Sequence, residues 1–391
     1  MEKIIGFDAK RMVRNATGLG NYGRTLVADL HREAPERQLL LFAPDHGRDD
    51  LRLQVAEDST LRYVYPSGFK SWRWQRDLWR MQGVVNDLKK CGVQIFHGLT
   101  GELPRGLQRA RIRSVVTIHD LIFLRHPEYY HWVDVQIYRQ KFRHAVAVAD
   151  RIIAISERTK QDIVELGGIS PECIDVVYQS CARLFQKSGR PDAPVAPEMA
   201  GAQEKNVFPG IAGLPELSGP FVLNVGSIEP RKNLLLVVKA LEHLPHEVHL
   251  VAVGRKTPYA QQVADYACRH QLASRVHLLH DIDDLQLSSL YHAATVFAYP
   301  SRYEGFGIPV IEAIGSGLPV MAATGSCLEE AGGPDGLYVD PDDVEGAAHA
   351  LSLLIGEGRD SERCRRQQHY IERFDNADVA RQVLNIYDQL M

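Results

Sequence analysis

The sequence predicts an α/β protein made of two doubly wound domains with parallel sheets. Short apolar segments alternate with helical patterns along the first half, and the same alternation restarts after about residue 220. Between the two halves, the stretch from Gln186 to Gly219 is rich in Pro, Gly and Ala and has no clear period. Short buried strands that alternate with helices are typical of parallel sheets covered on both faces. The irregular stretch is therefore the predicted linker.

The predicted elements follow from apolar runs and from helical periodicity. In the first half, strands are predicted at Lys3–Phe7, Leu39–Phe42, Gln94–Phe96, Ser114–Ile118, Arg151–Ile155 and Ile174–Val177. Helices there are predicted at Tyr22–His31, Val133–Ala149 and Glu157–Leu166. In the second half, strands are predicted at Phe221–Val225, Val248–Val253, Val276–Leu279, Val296–Tyr299, Val320–Ala322 and Leu337–Val339. Helices there are predicted at about Leu234–Leu244, Tyr259–His270, Asp284–Ala293 and Ile308–Ser316, with three more after Asp342.

These elements define an N-terminal domain over residues 1–200 and a C-terminal domain over residues 210–374. The chain of 391 residues is long enough for each domain to bury a core of its own. In doubly wound sheets, ligands bind beyond the carboxyl ends of the strands. We therefore expect two Rossmann-like domains that face each other across a ligand-binding cleft.

Composition narrows the class of protein. The formal net charge of −4 provides no global attraction to nucleic acid. The six cysteines form no C-x-x-C pair, which favours free thiols in a reducing compartment. The apolar run at the N-terminus is too short for a signal peptide, and no stretch approaches the roughly 18 apolar residues of a membrane span. We therefore expect a cytoplasmic protein.

A glycine motif near the N-terminus fits a dinucleotide-binding fingerprint. Gly18 to Gly23 spell G-x-G-x-x-G, and Asp45 follows the next strand, where a ribose-binding acid could lie. However, the ten residues 8–17, which include RMVRNAT, separate the predicted strand from Gly18, whereas the fingerprint needs a direct turn. An NAD-dependent dehydrogenase is therefore the weaker alternative. A longer loop that binds an anion at a helix N-terminus, or a plain Gly-rich capping turn, also fits.

Two loops of the second half carry charged residues next to predicted helices. Arg231 and Lys232 follow the strand Phe221–Val225, and adjacent cations at such a point suit a diphosphate. Glu304 lies in a Gly-containing turn after the strand Val296–Tyr299, and Glu312 lies in the helix that follows. One carboxylate could contact a sugar and the other a ribose, while backbone amides between them bind phosphates. A helix-capping role would explain only one of the two glutamates.

These segments resemble the family 4 glycosyltransferases, which have the two-domain GT-B fold. PSRYEGFGIPVIEA is similar to the E-x7-E signature of that family, and GSIEPRKN is similar to its phosphate-binding loop. TGLGNYG is similar to its first glycine loop, and TIHDLIF contains a histidine at the position of the histidine that lies in the family's cleft. The four motifs occur in the family's order over residues 17–312.

The resemblance implies a role for each matching residue. Arg231 and Lys232 would bind the donor diphosphate, and Glu312 the nucleotide ribose. Glu304 would orient the donor sugar. The remaining implied contacts are the amides near Phe306 and Gly307 with the donor, His119 near the anomeric centre and Gly20 near the donor phosphate. The family's C-terminal helix usually packs on the N-terminal domain, which here implies residues 375–391.

The sequence departs from the family pattern in two places. Ser227 stands where some mannosyltransferases have an arginine that could contact phosphate. The segment Gln179-Ser180-Cys181 replaces a more usual Asn-Gly sequence, and the sequence assigns it no role.

No metal or cofactor is expected. Asp281-Ile282-Asp283 spells the D-x-D motif of metal-dependent glycosyltransferases of another fold, but Asp283 stands where a helix cap belongs. The expected reaction is retaining sugar transfer from a nucleoside diphosphate sugar. The motifs look most like those of mannosyltransferases, which favours GDP-mannose as donor, and residues 254–256 and 280–283 are the predicted base-contacting loops. A GT-B epimerase, a sugar phosphorylase and a non-catalytic nucleotide-sugar binder are the alternatives.

The acceptor is predicted to be a glycan or a lipid-linked sugar. A basic and aromatic cluster in the first half could contact a membrane surface or a lipid diphosphate. Its members are Lys70, Trp72, Arg73, Trp74, Arg76, Trp79 and Arg80. The alternative is a helix whose tryptophans pack inward while its arginines face water.

Overall fold

The computed structural model describes residues 3–67, 72–181, 185, 217 and 219–391. Contacts divide the chain into two compact units. The first comprises Met1–Ser180 and Phe374–Met391, and the second comprises Cys181–Arg373. The predicted linker from Gln186 to Gly219 lies outside the described residues, except for residues 217 and 219.

The described part of the chain contains thirteen strands. In the first unit they are β1 Ile4–Asp8, β2 Gln38–Phe42, β3 Leu61–Val64, β4 Ile95–Gly98, β5 Arg113–Ile118, β6 Arg151–Ala154 and β7 Ile174–Val176. In the second unit they are β8 Phe221–Val225, β9 His249–Val253, β10 Val276–Leu279, β11 Val296–Tyr299, β12 Val320–Ala323 and β13 Leu337–Val339. Each predicted strand is present within a residue or two of its expected ends, whereas β3 was missed.

The α-helices of the first unit surround its sheet. They are α1 Lys10–Arg14, α2 Gly18–Glu33, α3 Asp49–Arg52, α4 Arg73–Leu78, α5 Val84–Lys90, α6 Leu107–Ala110, α7 Ile122–Arg125, α8 Trp132–Val148 and α9 Glu157–Gly167. The helices of the second unit are α10 Leu234–Ala240, α11 Pro258–Arg269, α12 Asp284–Ala293, α13 Ile308–Gly315, α14 Leu328–Gly332, α15 Val344–Glu357 and α16 Glu362–Ile371. The last helix, α17 Asn376–Leu390, belongs to the first unit.

Among the described residues, both sheets are parallel throughout. The strand order is β3-β2-β1-β4-β5-β6-β7 in the first sheet and β10-β9-β8-β11-β12-β13 in the second. The order reverses between β1 and β4 in the first sheet and between β8 and β11 in the second. Ligands of doubly wound sheets bind where the strand order reverses, outside the carboxyl ends of the strands. We therefore expect ligand-binding sites at the loops that follow β1, β4, β8 and β11.

Each sheet is covered by apolar helix faces, as its continuous apolar strands require. In the first unit, α2 and α17 share one core with β1 and β2. Tyr387 of α17 is fully buried there, and Asn376 donates a 2.7 Å hydrogen bond to the buried carboxylate of Asp29 on α2. The C-terminal helix thus completes the core of the first unit. In the described part of the chain, no helix is long and apolar enough to span a membrane.

Candidate functional site

The loop after β8 presents two adjacent cations. Pro230–Lys232 forms one 3-10 turn that ends at Asn233, whose φ of 57° is left-handed. The Asn233 amide donates a 2.7 Å hydrogen bond to the carbonyl of Pro341, which holds this corner in place. Arg231 and Lys232 therefore lie on a rigid turn at the start of α10, at the point where the strand order of the second sheet reverses.

The loop after β11 brings Glu304 to the same place. Gly307 has a φ of 128°, and a Cβ atom there would lie 2.8 Å from a Leu328 methyl group, so only glycine fits this turn. Phe306 is buried. The buried thiol of Cys327 lies 3.1 Å from the carbonyl oxygens of both Glu304 and Phe306 and donates to them. Cys327 is a supporting residue that the sequence analysis did not identify.

Glu304 is the centre of a largely buried ion cluster, in which the side chains of Glu304 and Lys232 are 12% and 13% exposed. The Lys232 ammonium lies 2.5 Å from Oε1 of Glu304, and the Arg231 guanidinium lies 3.1 Å from the same oxygen. The Ser301 hydroxyl also donates to this oxygen, at 2.5 Å. Burial alone raises the pKa of Glu304, but Lys232 and Arg231 outweigh it and lower the pKa to about 2. Glu304 is therefore ionised at neutral pH.

Tyr299, at the end of β11, holds the lysine of this cluster. The Lys232 ammonium donates a 2.5 Å hydrogen bond to the Tyr299 hydroxyl and lies 4.9 Å from the centre of its ring. Tyr299 is buried. In addition, the Arg231 guanidinium donates to the carbonyl of Tyr303 and, at 2.7 Å, to the Glu229 carboxylate. Both cations are thus fixed before any ligand arrives, which preorganises them for an anion.

Glu312 lies on α13 in a different electrostatic environment. Burial raises its pKa to about 8, although the hydroxyl of Tyr291 donates a 3.0 Å hydrogen bond to its Oε2. Desolvation without a paired cation favours the neutral acid. The two glutamates of the E-x7-E segment therefore differ in charge at neutral pH: Glu304 is ionised, whereas Glu312 is protonated and neutral.

The glycine motif of the first unit lies inside a helix. α1 occupies part of the expected loop, and α2 begins at Gly18. A Cβ atom at Gly20 would lie 1.8 Å from the carbonyl oxygen of Asn15, so glycine is required here for close backbone packing. The dehydrogenase alternative also fails at Asp45, whose carboxylate pairs with Arg14 and accepts a 2.6 Å hydrogen bond from Arg76. Asp45 is an ion-pair residue of the surface.

His119, directly after β5, is held at both ring nitrogens. Its Nε2 donates a 2.8 Å hydrogen bond to the carbonyl of Leu99, and its Nδ1 accepts one of 3.1 Å from the Gln179 amide. Tyr22 of α2 packs edge-on against the ring, 4.7 Å between centroids. Burial lowers the pKa of His119 to about 4, so the ring is neutral. Gln179 thus acquires a role in the segment to which the sequence assigned none.

A buried polar network continues from His119 to the C-terminal helix. The hydroxyls of Tyr22 and Thr117 lie 3.2 Å apart, and Thr117 is hydrogen-bonded to Nε2 of His97 at 2.8 Å. Nδ1 of His97 is hydrogen-bonded to the Tyr387 hydroxyl at 2.6 Å. Burial lowers the pKa of His97 to about 3. Because buried polar groups are costly when unpaired, this network specifies how α2 and α17 pack.

A cleft of about 230 Å³ lies beside His119 within the first unit. Four Phe and Tyr side chains line it: Phe123 and Tyr138, 5.7 Å apart, Tyr130, 6.1 Å from Tyr138, and Phe142, 6.5 Å from Phe123. Lys141 also lines it, with its ammonium 3.0 Å from the Glu102 carboxylate. Aromatic faces together with a few fixed polar groups are typical of a small-molecule site.

The basic and aromatic cluster of the first half does not form one surface. Trp79 is buried and donates to Asp87, and the Arg80 side chain, 12% exposed, lies between Asp8 and Glu102. Arg76 pairs with Asp45. Only Trp72 and Trp74 among the described members expose large apolar surface. Lys70 and the Arg73 side chain lie outside the described atoms. Charge reversal at Arg80 would therefore disrupt the fold rather than test a membrane contact.

The D-x-D segment serves a helix. Asp283 caps α12: its side chain accepts a 2.8 Å hydrogen bond from the Gln286 backbone N–H, and its own backbone N–H donates one of 3.1 Å to the Gln286 side-chain oxygen. This is a capping box. Within the described ranges, no group of three or more His, Cys, Asp or Glu side chains could hold a metal ion. All six cysteines are free thiols.

Comparison with known protein families gives two matches that together cover most of the chain. The family described as "Glycosyltransferase Family 4" matches residues 23–180, and that described as "Glycosyl transferases group 1" matches residues 213–371. These ranges contain His119 and the Arg231–Lys232–Glu304 cluster.

Curated relatives are similar over much of the chain. O-antigen chain mannosyltransferase B of Escherichia coli is 27% identical over 365 residues, covering 86% of this chain and 87% of that protein. O-antigen chain mannosyltransferase RfbU of Salmonella typhimurium is 25% identical over 274 residues, covering 70% of this chain and 68% of that protein.

Solved structures share the fold. Sucrose-phosphate synthase from Thermosynechococcus elongatus superimposes with a TM-score of 0.74 at 20% identity, covering 100% of this chain and 99% of that one. HepE of Anabaena, solved in complex with UDP and glucose, gives a TM-score of 0.71 at 18% identity, with both chains fully covered.

Proposed function

The chain belongs to the family 4 (group 1) glycosyltransferases of GT-B fold, and from this premise we propose that it is a retaining mannosyltransferase that uses GDP-mannose. The acceptor is a hydroxyl of a glycan or of a lipid-linked sugar in polysaccharide or glycoconjugate synthesis. The observation that carries the proposal is the Arg231–Lys232–Glu304 cluster at the reversal point of the second sheet. The choice of mannose rests on the two O-antigen mannosyltransferases to which the chain is similar.

The donor diphosphate binds Arg231 and Lys232. In the free protein the two cations are paired with Glu304 and Glu229, so the cluster binds the diphosphate through its fixed N–H donors rather than through a net charge. As the bond between the sugar and the diphosphate breaks, negative charge grows on the leaving phosphate, and two fixed cations stabilise it. The amides near Phe306 and Gly307, at the start of α13, add donors whose dipoles also favour an anion. Gly20 lies at the start of α2, where the same dipole argument applies.

Glu304 and Glu312 have separate tasks. Glu304, ionised and held by three donors, accepts hydrogen bonds from hydroxyls of the donor sugar and orients the sugar. Glu312 binds the ribose of the nucleotide. Because Glu312 is a neutral acid in the free protein, binding a diol as a carboxylate would release a proton. The two glutamates are therefore not an acid–base pair of the kind that hydrolases use.

Retention follows from front-face substitution in this proposal. The bond from the anomeric carbon to the diphosphate oxygen breaks, and the acceptor oxygen bonds to that carbon on the same face. The leaving phosphate oxygen takes the proton of the acceptor hydroxyl, so no protein nucleophile and no metal are required. His119 suits this scheme as a neutral, immobile group, since its two nitrogens are already bonded to Leu99 and Gln179.

The acceptor binds the cleft beside His119. Phe123, Tyr130 and Tyr138 give it aromatic faces of the kind against which sugar rings pack, and Lys141 adds a cation. We place the reaction in the cytoplasm, with peripheral contact at the inner face of the membrane through the exposed Trp72 and Trp74, which are 65% and 61% exposed.

A panel of nucleotide sugars in a thermal-shift assay tests the donor. We expect GDP-mannose to raise the melting temperature most, and to lose this effect in Lys232→Met but not in the surface variant Lys89→Met. Incubation with candidate acceptors should then give an α-linked mannoside at full rate in excess EDTA. Preference for another nucleotide sugar would contradict the assignment of GDP-mannose as the donor. Turnover of the donor without an acceptor, or dependence on inorganic phosphate, would instead indicate an epimerase or a phosphorylase.

A covalent mannosyl adduct on Glu304, sought by mass spectrometry with a slow acceptor, would contradict front-face substitution. An absolute requirement for manganese would contradict the metal-free scheme.

A further inference from the structure

A second cavity in the first unit lies outside the site described above. Its volume is about 580 Å³, which falls within the usual range of roughly 300–1,000 Å³ for small-molecule pockets. It lies among the helix α6, the C-terminal half of α8 and the π-helical turn Trp79–Gly83 that joins α4 to α5. π-helical turns interrupt a helix at a cost and occur frequently at functional sites.

The side chains that line the cavity are cationic or neutral. Arg105 and Arg109 lie on its rim, with Gln82, Gln108 and His144 as further polar groups, and the remaining lining residues carry no carboxylate. Both arginines are exposed, and neither guanidinium forms an ion pair or a hydrogen bond with the described part of the chain. Other arginines of this unit, such as Arg80 and Arg125, are paired with acids. The cavity therefore carries uncompensated positive charge.

His144 adds an unsatisfied buried group. Its Nε2 is buried and has no hydrogen-bond partner among the described residues. Buried polar atoms are normally paired, and an orphan calls for a partner that the protein itself does not supply. Nε2 itself is closed off from solvent, so His144 lines the cavity with the remainder of its ring.

The loop that carries the two arginines is held in an unusual conformation. Gly106 has a φ of 99° and Arg111 a φ of 58°, so left-handed residues flank α6 on both sides. The Arg105 amide donates a 2.7 Å hydrogen bond to the carbonyl of Met81 in the π-helical turn. Left-handed geometry at a non-glycine residue costs free energy and is found at ligand clamps. Here it sets the backbone of the segment that carries Arg105 and Arg109.

We propose that this cavity binds a phosphate group. Guanidinium groups bind phosphate through paired N–H donors, and the amides of Gln82 and Gln108 with the His144 ring offer further partners for its several oxygens. The phosphate is either that of a soluble phosphate ester or that of a phospholipid headgroup. A phospholipid is one possible source because two apolar side chains that could contact a lipid lie beside the rim. They are Leu78 and Met81, which are 47% and 46% exposed. The proposal is independent of the donor chemistry of the second unit.

The test uses a signal local to the cavity, because the donor loop of the second unit would also bind phosphate. The ring resonance of His144 in the full chain is assigned with His144→Gln and followed by NMR while inorganic phosphate is added. We expect a saturable shift. In Arg105→Ala/Arg109→Ala the dissociation constant should rise by about tenfold for each guanidinium removed.

A second arm measures flotation of the full chain with vesicles of phosphatidylglycerol and phosphatidylcholine, or of phosphatidylcholine alone. If a headgroup is the ligand, the double variant should have a partition coefficient about 30-fold lower on the anionic vesicles. The matched control is Arg62→Ala/Lys89→Ala, which removes the same charge from exposed positions of the same unit.

A phosphate-dependent His144 shift that needs both arginines supports a soluble phosphate ester. Flotation that needs both arginines, without that shift, supports a headgroup. The proposal is overturned if neither occurs, or if the control double variant loses as much as Arg105→Ala/Arg109→Ala. Both pairs of residues are exposed, so we expect all variants to fold.

Discussion

The Lys232 ammonium lies 2.5 Å from the Glu304 carboxylate, in a buried ion pair between residues 72 positions apart in the chain. The pair joins the loops that follow β8 and β11, the two strands between which the order of the second sheet reverses. Because Arg231 shares the same carboxylate oxygen, the pair is one part of a three-charge cluster. We expect the stability of this corner, and the anion affinity that we propose for it, to depend on that cluster.

Lys232→Met should lower the free energy of unfolding by about 3 kcal/mol, because it leaves Glu304 buried with only part of its compensation. The double variant Lys232→Met/Glu304→Gln should recover most of this loss. Urea denaturation of the two single variants and the double variant closes a double-mutant cycle. Additive losses would show that the two residues are not coupled.

Glu304 should also make the protein sensitive to acid. Its pKa in the folded protein is about 2, below the ordinary value near 4.3 in the unfolded chain. The unfolded state therefore binds more protons as the pH falls from about 4.5 to 2, and the stability due to this group, roughly 3 kcal/mol, is lost across that window. Glu304→Gln should lose less stability than the native chain between pH 5 and pH 3. Parallel losses would contradict the cluster.

Glu312 predicts the opposite pH dependence. Its pKa of about 8 exceeds the unfolded value, so the folded protein retains a proton that the unfolded chain releases between about pH 4.5 and pH 8. Stability should therefore fall as the pH rises, by about 1.4 kcal/mol per pH unit within this window. Glu312→Gln removes that slope and should exceed the native stability at pH 8 but not at pH 5. The exposed control Glu345→Gln should follow the native curve.

Kinetics should separate the two glutamates. Loss of the sugar-orienting carboxylate in Glu304→Ala should lower kcat by about 10²-fold or more, with a smaller change in nucleotide affinity. Glu312→Ala should weaken donor binding by about tenfold, with a smaller change in kcat. Steady-state assays with varied donor, together with calorimetric titration of the nucleotide, measure both quantities. Identical behaviour of the two variants would refute this division of roles.

The hydrogen bond from Gln179 to His119 predicts a change of charge on substitution. In Gln179→Glu a carboxylate faces Nδ1 while the Leu99 carbonyl still accepts from Nε2, and only an imidazolium satisfies both. The pKa of His119 should therefore rise from about 4 to above 6.5. An NMR titration of the ring measures it, with Gln179→Asn as the neutral control. An unchanged pKa would mean that the two side chains do not interact in solution.

The link between His97 and Tyr387 can be tested through stability. Tyr387→Phe removes the hydroxyl at 2.6 Å from Nδ1 of His97 and leaves a buried nitrogen unpaired, which costs about 1–3 kcal/mol. Tyr266→Phe removes a hydroxyl that bonds to Glu242 at the surface and should cost less than half as much. Equal losses in urea denaturation would argue against a specific role of the network in docking α17.

Much of the architecture follows from local sequence pattern. Continuous apolar runs identify the buried strands, because helices cover both faces of a central parallel strand. β3 was not predicted because it lies at the edge of the sheet. Arg62 is exposed there between buried Leu61 and Tyr63, so the apolar run is interrupted. Gly307 and the Asp283 cap also follow from local sequence pattern, because each is required by a turn or a helix end within a few residues.

The sequence by itself determined the family, the two parallel sheets and the loops that carry Arg231, Lys232, Glu304 and Glu312. Only the tertiary structure decided the charge states and partners. The pKa of a carboxyl depends on burial and on which charges lie within a few ångströms, and here those neighbours come from distant parts of the chain. For the same reason Arg80 and Arg105 differ: Arg80 lies between two acids, whereas Arg105 has no acidic partner among the described residues. Folding also brings Gln179 to His119, 60 residues away in the chain. Local sequence pattern specifies which element or loop carries a side chain. The neighbours that set its charge and its contacts come together only when the chain folds.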